Sequence, residues 1–155
     1  MNEQLVLGLN LKEALQKEDF FISPSNLEAV TLLDNTDQWG SGVLLLVGPK
    51  GSGKTHLSLV WCKENKAKYL RLESVLDEME KGPTHDIVCV EDIDIIADAE
   101  RQKKTKMEEG IFHLINSVGS RGGKLLISSR KMPNELSIGL KDLESRLQSF
   151  SKTNI

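Results

Sequence analysis

The chain is organised around Val43-Leu44-Leu45-Leu46-Val47, which runs directly into Gly48-Pro49-Lys50-Gly51-Ser52-Gly53-Lys54-Thr55. The first five residues are continuously apolar, which is typical of a strand buried on both faces of a parallel sheet. After Thr55 the apolar residues recur at helical spacing. We therefore expect a strand, a glycine-rich loop and a helix in immediate succession.

The loop follows the spacing Gly-x4-Gly-Lys-Thr, and each residue type has a role in holding phosphate. Gly51 and Gly53 let the backbone N–H groups point inward as an anion-binding nest. A helix that begins near Lys54 adds the positive end of its dipole. The Lys54 ammonium would reach the β- and γ-phosphates, and the Thr55 hydroxyl would bind Mg²⁺. The loop predicts a site for a nucleoside di- or triphosphate; a glycine-rich turn without a ligand is the alternative.

Length and composition set the broad class. At 155 residues, with 39% hydrophobic and 28% charged residues, we expect one globular domain. The net charge of −3 gives no bulk attraction to nucleic acid. Two cysteines, Cys62 and Cys89, are too few for a disulfide framework and favour a cytoplasmic protein. The amino terminus has no secretory-signal pattern, and no apolar run is long enough to span a membrane.

Further strands and helices are predicted along the chain. Strands are expected at 69–72, 87–90 and 125–129, and 151–155 has the character of the start of another. Helices are expected at about residues 12–17, 26–36, 54–65 and 74–82, around Met107 to Val118, and around a last core face of Leu140, Leu143, Leu147 and Phe150. This alternation indicates an α/β fold of three layers, αβα, with a mostly parallel sheet.

Local signals refine three of these predictions. A capping box of Ser25 and Glu28 would begin the second helix, and Ser74 would cap the fourth. The charged stretch 98–106 is predicted to be a solvated loop. Its basic cluster is short and lacks aromatic partners, so it gives little support for direct nucleic-acid binding.

Two acidic residues follow the third predicted strand. Glu91 and Asp92 stand where carboxylates would hold Mg²⁺ or orient an attacking water. We expect Glu91 to be a metal ligand with Thr55 and both acids to be candidate catalytic groups; plain polar residues at a strand exit are the alternative. Glu91 occupies a place where the shorter Asp is usual. One extra methylene moves a carboxylate by about an ångström, which disfavours hydrolysis by this chain alone.

Two later residues are further candidates for catalysis. Ser128, like its neighbour Ser129, ends the fourth strand, where a hydroxyl can sense a γ-phosphate or orient water; a structural serine is the alternative. Arg146 lies on the last predicted helix, from which it can reach a nucleotide held by another subunit. A surface ion pair with Asp142 is the alternative for Arg146.

Several motifs together resemble one family. They are Gly-Pro-Lys-Gly-Ser-Gly-Lys-Thr-His-Leu, Val-Glu-Asp-Ile-Asp, Ile-Phe-His-Leu-Ile-Asn, Leu-Leu-Ile-Ser-Ser-Arg and Leu-Glu-Ser-Arg-Leu, in that order. This series resembles the P-loop NTPase (AAA+) domain of the replication initiator DnaA, and within that family the short regulatory homologues of the Hda type. The resemblance covers the chain from Gln4 to Arg146.

The resemblance implies roles for particular residues. The segment from Phe20 to Asn26, including Ile22 and Asn26, would line an adenine pocket, and His56 would complete the phosphate-loop motif. Arg146 falls on the arginine-finger position, although Asp142 stands where the family has a second arginine. An arm of residues 1–10 would bind the DNA polymerase sliding clamp; an ordinary edge strand is the alternative. The arm residues that would contact the clamp are Gln4, Leu5, Leu7 and Leu9.

At the level of the whole chain, the resemblance implies a regulator of replication initiation. Residues 11–155 would form the AAA+ domain without its C-terminal helical lid. The chain would hold ATP or ADP with Mg²⁺ and stimulate hydrolysis of ATP bound to DnaA, and a finger acting between subunits also allows a homo-oligomer. The alternatives are an autonomous AAA+ ATPase or helicase loader, and a non-enzymatic adaptor whose nucleotide is structural.

Overall fold

A five-stranded parallel sheet forms the middle of the computed structural model, which describes residues 11–17, 19–82 and 85–155. The strands are β1 (Val43–Val47), β2 (Lys68–Arg71), β3 (Ile87–Glu91), β4 (Lys124–Ser129) and β5 (Ser151–Asn154). Their order across the sheet is β2-β3-β4-β1-β5, and each neighbouring pair is parallel. The mostly parallel sheet predicted from the sequence is confirmed, and 151–154 is its fifth strand.

Six α-helices of the described ranges connect or flank the strands. They are α1 (Leu11–Lys17), α2 (Leu27–Asp34), α3 (Lys54–Asn65), α4 (Leu72–Lys81), α5 (Arg101–Ser120) and α6 (Lys141–Ser149). Short 3₁₀ turns lie between them, at Thr36–Gln38, Gly40–Gly42, Ile93–Asp98 and Pro133–Glu135.

The sheet carries helices on both faces because the side chains of a strand alternate in direction. On β1, Leu44 and Leu46 pack with apolar residues of α1, α2 and α3. Val43, Leu45 and Val47 point the other way and pack with α4, α5 and α6. Burial on both faces explains why this stretch is apolar throughout, and the αβα layers are confirmed.

Parallel strands bring all their carboxyl ends to one edge of the sheet. The residues that follow β1, β3 and β4 therefore meet there, at the ends of three adjacent strands. Such an edge is where open α/β sheets bind ligands.

The charged stretch 98–106 is not the loop that was predicted. Its residues from Arg101 onward form the first turns of α5, which continues to Ser120. Arg, Gln and Lys are good helix formers. Here they cover the exposed start of a helix whose later turns enter the core at Met107. A charge run marks a solvated surface but does not distinguish a loop from one face of a helix.

Three helix-boundary predictions were also wrong. The capping box of Ser25 and Glu28 is not formed: α2 follows Asn26 without a side-chain cap, and the Glu28 carboxylate accepts a hydrogen bond from the Thr153 hydroxyl at 2.9 Å instead. Ser74 lies inside α4, which begins at Leu72. Leu140 precedes α6 and is exposed, so it is not part of the core face.

Two further predictions concern the amino-terminal arm and membrane-spanning helices. The proposed clamp-binding residues Gln4–Leu9 lie outside the described residues. None of the helices described is long and apolar enough to cross a lipid bilayer.

Gly110 provides a test of the packing between α4 and α5. A Cβ at this position would lie 2.9 Å from the backbone nitrogen of Leu76 and 3.2 Å from its Cα. We expect Gly110→Ala to lower the free energy of unfolding by about 1–3 kcal/mol, because two helix backbones would have to separate. Urea denaturation followed by circular dichroism measures this change.

Gly119 is the matched control, because it lies in the same helix and an added Cβ there would meet nothing within 4 Å. Gly119→Ala should raise the free energy of unfolding by about 0.5–1 kcal/mol, the usual helix preference for alanine. Stabilisation by both substitutions would contradict the close contact at Gly110.

Candidate functional site

The loop between β1 and α3 has the backbone geometry of an anion-binding turn. Gly51 and Gly53 have φ values of +82° and +99°, which other residues adopt only with strain. The Ser52 N–H donates to the Pro49 carbonyl at 3.2 Å, which closes the turn. Gly53 is the N-cap of α3 and no side chain caps that helix. The first amides of α3 are therefore free of a side-chain partner and face the loop, as phosphate binding requires.

The loop is anchored to the sheet at its first residue. Gly48 donates its N–H to the Ser129 carbonyl at 3.1 Å, and Val47 is level with Ser129 in the register of β1 and β4. On the other side of β1, the Ile155 N–H donates to the Val47 carbonyl at 2.9 Å. The start of the phosphate loop is thus held from both neighbouring strands.

Lys54 is a buried cation within this loop. Only 6% of the residue is exposed, and its Nζ donates to the Pro49 carbonyl at 3.0 Å. Burial lowers the pKa of the Lys54 ammonium group, whereas the nearby carboxylates of Asp92 and Asp94 act in the opposite direction. A desolvated ammonium group next to the uncapped start of a helix is suited to binding a polyanion.

Thr55 and Glu91 form a pair of oxygen donors next to the loop. The Thr55 hydroxyl donates to Glu91 Oε2 at 3.1 Å. The second carboxylate oxygen, Oε1, is buried and has no hydrogen-bond partner among the described residues. An unpaired buried carboxylate oxygen is unfavourable, and a hard cation that prefers oxygen ligands would satisfy it. The residues therefore fit a cation such as the Mg²⁺ expected from the sequence.

Asp92 and Ser128 are joined directly. The backbone N–H of Asp92 donates to Ser128 Oγ at 3.0 Å, and Asp92 itself has a φ of +57°. Partial burial, and then the carboxylates of Glu91 and Asp94, raise the pKa of the Asp92 carboxyl group. The Ser128 hydroxyl thus holds the turn that presents Asp92 at the site. Ser129 uses its own hydroxyl in a hydrogen bond to the Lys131 carbonyl at 2.7 Å.

Asp94 and Arg130 complete the site and were not predicted as functional residues. Asp94 is buried, at 4% exposure, and accepts hydrogen bonds from both the backbone N–H and the Nε–H of Arg130. They end the motifs Val-Glu-Asp-Ile-Asp and Leu-Leu-Ile-Ser-Ser-Arg, which contain the ends of β3 and β4. Opposite charges shortly after two predicted strands were the available signal.

The segment that precedes α2 lies against the loop through an aromatic stack. The rings of Phe20 and His56 are 4.9 Å apart and parallel to within 5°. An added Cβ at Gly53 would come within 3.2 Å of the Phe20 ring. Like Phe20, Ile22 packs against the apolar core between the sheet and helices α1, α2 and α3. Asn26 shapes this segment, because its side chain accepts from the Ser23 N–H at 2.9 Å and donates to the Phe21 carbonyl at 3.1 Å.

Arg146 lies apart from this cluster. Its Nη1 donates to Asn116 Oδ1 on α5 at 2.7 Å, so the pairing with Asp142 is not formed. Asn116 is the sixteenth residue of α5, about 22 Å along the axis from the helix start at a rise of 1.5 Å per residue. Because α5 runs back from the carboxyl edge of the sheet, Arg146 lies toward the opposite edge. It is therefore remote from the phosphate loop of its own chain.

The structure brings most of the predicted residues together. The residues that meet at the carboxyl edge are Gly48 to Thr55, His56, Glu91, Asp92 and Ser128; Ile22 and Asn26 lie on the segment that Phe20 joins to His56. Arg146 stands on a separate surface, and Gln4, Leu5, Leu7 and Leu9 lie outside the described residues.

Comparison with known proteins agrees with this architecture. Residues 11–153 match the family model of the bacterial DnaA ATPase domain. An uncharacterized protein of Haemophilus influenzae is 30% identical over 161 residues, and the match covers 95% of this chain and 66% of the relative.

Two solved structures share the fold. The replication initiator DnaA bound to AMPPCP and single-stranded DNA superposes with a TM-score of 0.71 and 19% identity, over 89% of this chain and 48% of that one. Domain III of Thermotoga maritima DnaA superposes with a TM-score of 0.70 and 22% identity, over all of this chain and 68% of that one. The chain thus spans about half the length of the first initiator structure. Since the family model matches nearly the whole sequence, the chain belongs to the bacterial DnaA ATPase domain family.

Proposed function

We propose that this chain binds an adenine nucleotide, ATP or ADP, in the loop from Gly48 to Thr55. The observation that carries the proposal is the loop itself, a glycine turn at the uncapped start of α3 with the buried Lys54 beside it. Adenine is favoured because the related initiator structure contains AMPPCP, an adenine nucleotide analogue. The base would lie against the segment that includes Ile22 and Asn26.

Magnesium is the second part of the proposal. Thr55 and Glu91 would hold the ion, and their oxygen donors and the unpaired Glu91 Oε1 support this choice. When bound, Mg²⁺ would neutralise charge on the phosphates.

For the role in the cell, we propose a cytoplasmic regulator of replication initiation of the Hda type. The chain would dock on the sliding clamp through Gln4, Leu5, Leu7 and Leu9 and present Arg146 to ATP bound by DnaA. The position of Arg146, far from the chain's own phosphate loop, supports action on a partner's nucleotide. Its guanidinium group would stabilise charge that develops on the transferred phosphate, while the chain's own loop keeps its nucleotide.

An autonomous ATPase is the second candidate, and the carboxylates beside the loop favour it. Glu91 and Asp92 can each polarise water in principle, with Ser128 holding the turn between the two strand ends. Steady ATP turnover by the purified chain alone, abolished in Lys54→Ala, would support this function over the regulatory one.

The nucleotide site is tested with Lys54→Ala. We expect the affinity for both ATP and ADP to fall about 10- to 100-fold, because a charge-assisted contact to phosphate is lost. Isothermal titration calorimetry with magnesium present measures both affinities. Lys63→Ala, near the other end of α3, is the control and should bind as the wild type does. Equal binding by Lys54→Ala and the wild type would contradict the proposed site.

The metal site is tested by comparing ATP binding in magnesium with binding in EDTA. We expect Thr55→Val and Glu91→Gln each to lose most of the gain in affinity that magnesium gives, because each removes one ligand oxygen or its charge. Binding in EDTA should change little. Thr105→Val, on α5, is the control for loss of a hydroxyl. A full magnesium effect in both site variants would argue against these ligands.

The regulatory role is tested in a reconstituted assay of ATP hydrolysis by DnaA, with DNA-loaded clamp and this chain added. Arg146→Ala should reduce the stimulated rate by about three orders of magnitude, toward the unstimulated rate. The affinity of the Arg146→Ala chain for its own nucleotide should not change, since Arg146 lies far from the phosphate loop. Lys141→Ala, on the same helix, is the control. Full stimulation by Arg146→Ala would rule out a finger role for this residue.

A further inference from the structure

Helix α6, which carries Arg146, depends on other elements for its stability. It is nine residues long, and helices shorter than about 12–15 residues are marginal in isolation. Its N-cap, Leu140, makes no capping hydrogen bond with its side chain. Leu143 and Leu147 are buried and hold one face of α6 against the core that it shares with α5. The two ends of the helix are held by charged groups from α5 and β5.

A buried carboxylate from α5 holds the start of α6. Glu108 is 5% exposed, and its carboxylate accepts hydrogen bonds from the backbone N–H groups of Gly139 at 3.0 Å and of Leu140 at 2.9 Å. These groups lie immediately before the first turn of α6, at the positive end of the helix dipole, where a negative charge is favourable. Glu108 therefore anchors the start of α6 in the way that an N-cap side chain does within a helix.

A positive charge holds the other end of α6. The Lys152 ammonium group donates to the Gln148 carbonyl at 2.5 Å and to the Phe150 carbonyl at 3.0 Å. The last carbonyls of a helix have no partner within it, and a cation beside them complements the helix dipole. Opposite charges from α5 and β5 thus fix the two ends of the helix.

Between these ends, α5 also contacts the side chain of Arg146. Its Nη1 donates to Asn116 Oδ1 at 2.7 Å. Asn116 lies eight residues beyond Glu108, about 12 Å along α5. Arg146 lies six residues beyond Leu140, about 9 Å along α6. Because the two contacts come in the same order along both helices, α6 lies beside α5 and runs in the same direction.

The group that accepts from Arg146 is neutral and leaves the charge of the guanidinium group uncompensated. Asn116 supplies an amide oxygen, and Arg146 forms no ion pair with any residue that the structure describes, although Asp142 and Glu144 lie on the same helix. A guanidinium group has five N–H donors, so most of them stay available for a ligand. A carboxylate at residue 116 would hold the group but compete with phosphate for it.

We propose that Glu108 and Asn116 are positioning residues that present Arg146 to the phosphates of a nucleotide held by a partner chain. Glu108 sets the position of α6 along α5, and Asn116 orients the guanidinium group without neutralising it. The inference rests on the proposed finger role of Arg146 and adds the two residues through which that role depends on α5.

The test measures ATP hydrolysis by DnaA, with DNA-loaded clamp, as the concentration of this full chain is raised to saturation. Asn116→Ala and Asn116→Asp should each lower the maximal rate about tenfold, the effect of weakening one contact to a charged group in the transition state. The half-saturating concentration should not change, because the docking surface is left intact. If the contact were merely structural, Asn116→Asp would form a surface ion pair and keep the wild-type maximal rate.

Ser120→Ala is the control for loss of a polar side chain from the exposed side of α5. The Ser120 hydroxyl donates to the Ser117 carbonyl of the same helix. Its loss should leave the maximal rate unchanged.

Glu108→Gln tests the anchor at the start of α6. It keeps the shape of the side chain but removes its charge, and a single amide oxygen must then accept from two N–H groups. We expect a lower maximal rate, by a smaller factor than for the Asn116 variants, together with a lower melting temperature. Glu109→Gln is the matched control, because Glu109 is the next residue of α5 and is exposed. It should keep both the wild-type rate and the wild-type melting temperature.

Negative results in this assay have different meanings. If Arg146→Ala has lost stimulation, a variant of Asn116 or Glu108 that keeps the wild-type maximal rate overturns the role proposed for that residue. A change confined to the half-saturating concentration also overturns it, because the residue then contributes only to docking. If Arg146→Ala itself keeps the full rate, the proposed finger role fails, and the positioning role fails with it.

Discussion

Burial of β1 between β4 and β5 is the constraint on which the site depends. All five residues of β1 are buried, and the strand is paired on both sides. Its last residues are therefore held by backbone hydrogen bonds from two neighbours, including those of Gly48 and Ile155. A loop whose first residue is hydrogen-bonded on both sides has less conformational freedom to lose, and preorganisation of this kind lowers the cost of binding.

Acidic and basic side chains at the carboxyl edge of the sheet come from different strand ends. Three carboxylates end or follow β3, whereas Lys54 and Arg130 follow β1 and β4. Each cation is held by a buried or backbone acceptor, the Pro49 carbonyl for Lys54 and the Asp94 carboxylate for Arg130. The ion pair joins the buried Asp94 carboxylate to the half-exposed Arg130 guanidinium group. We interpret this pair as fixing the orientation of Arg130 more than adding to the stability of the fold.

The local sequence was sufficient for the strand, loop and helix around Gly48 to Thr55, and for the layered parallel fold. Continuous apolar runs and glycine spacing are local signals with a direct physical cause, burial on two faces and a backbone φ above zero. Helix boundaries were less predictable. Glu28 is a tertiary partner of Thr153 rather than a cap, and Lys104 and its charged neighbours are helical because the later turns of α5 are buried.

Only the tertiary structure decided which charged and polar residues meet. The chain by itself marked the phosphate loop and the acids after β3, since these lie within recognisable motifs. It did not reveal that Asp94 aims Arg130 or that Ser128 holds the Asp92 turn. Each of these contacts joins residues 36 positions apart. The order of the strands brings them together, and strand order is set by how the whole core packs rather than by any one segment.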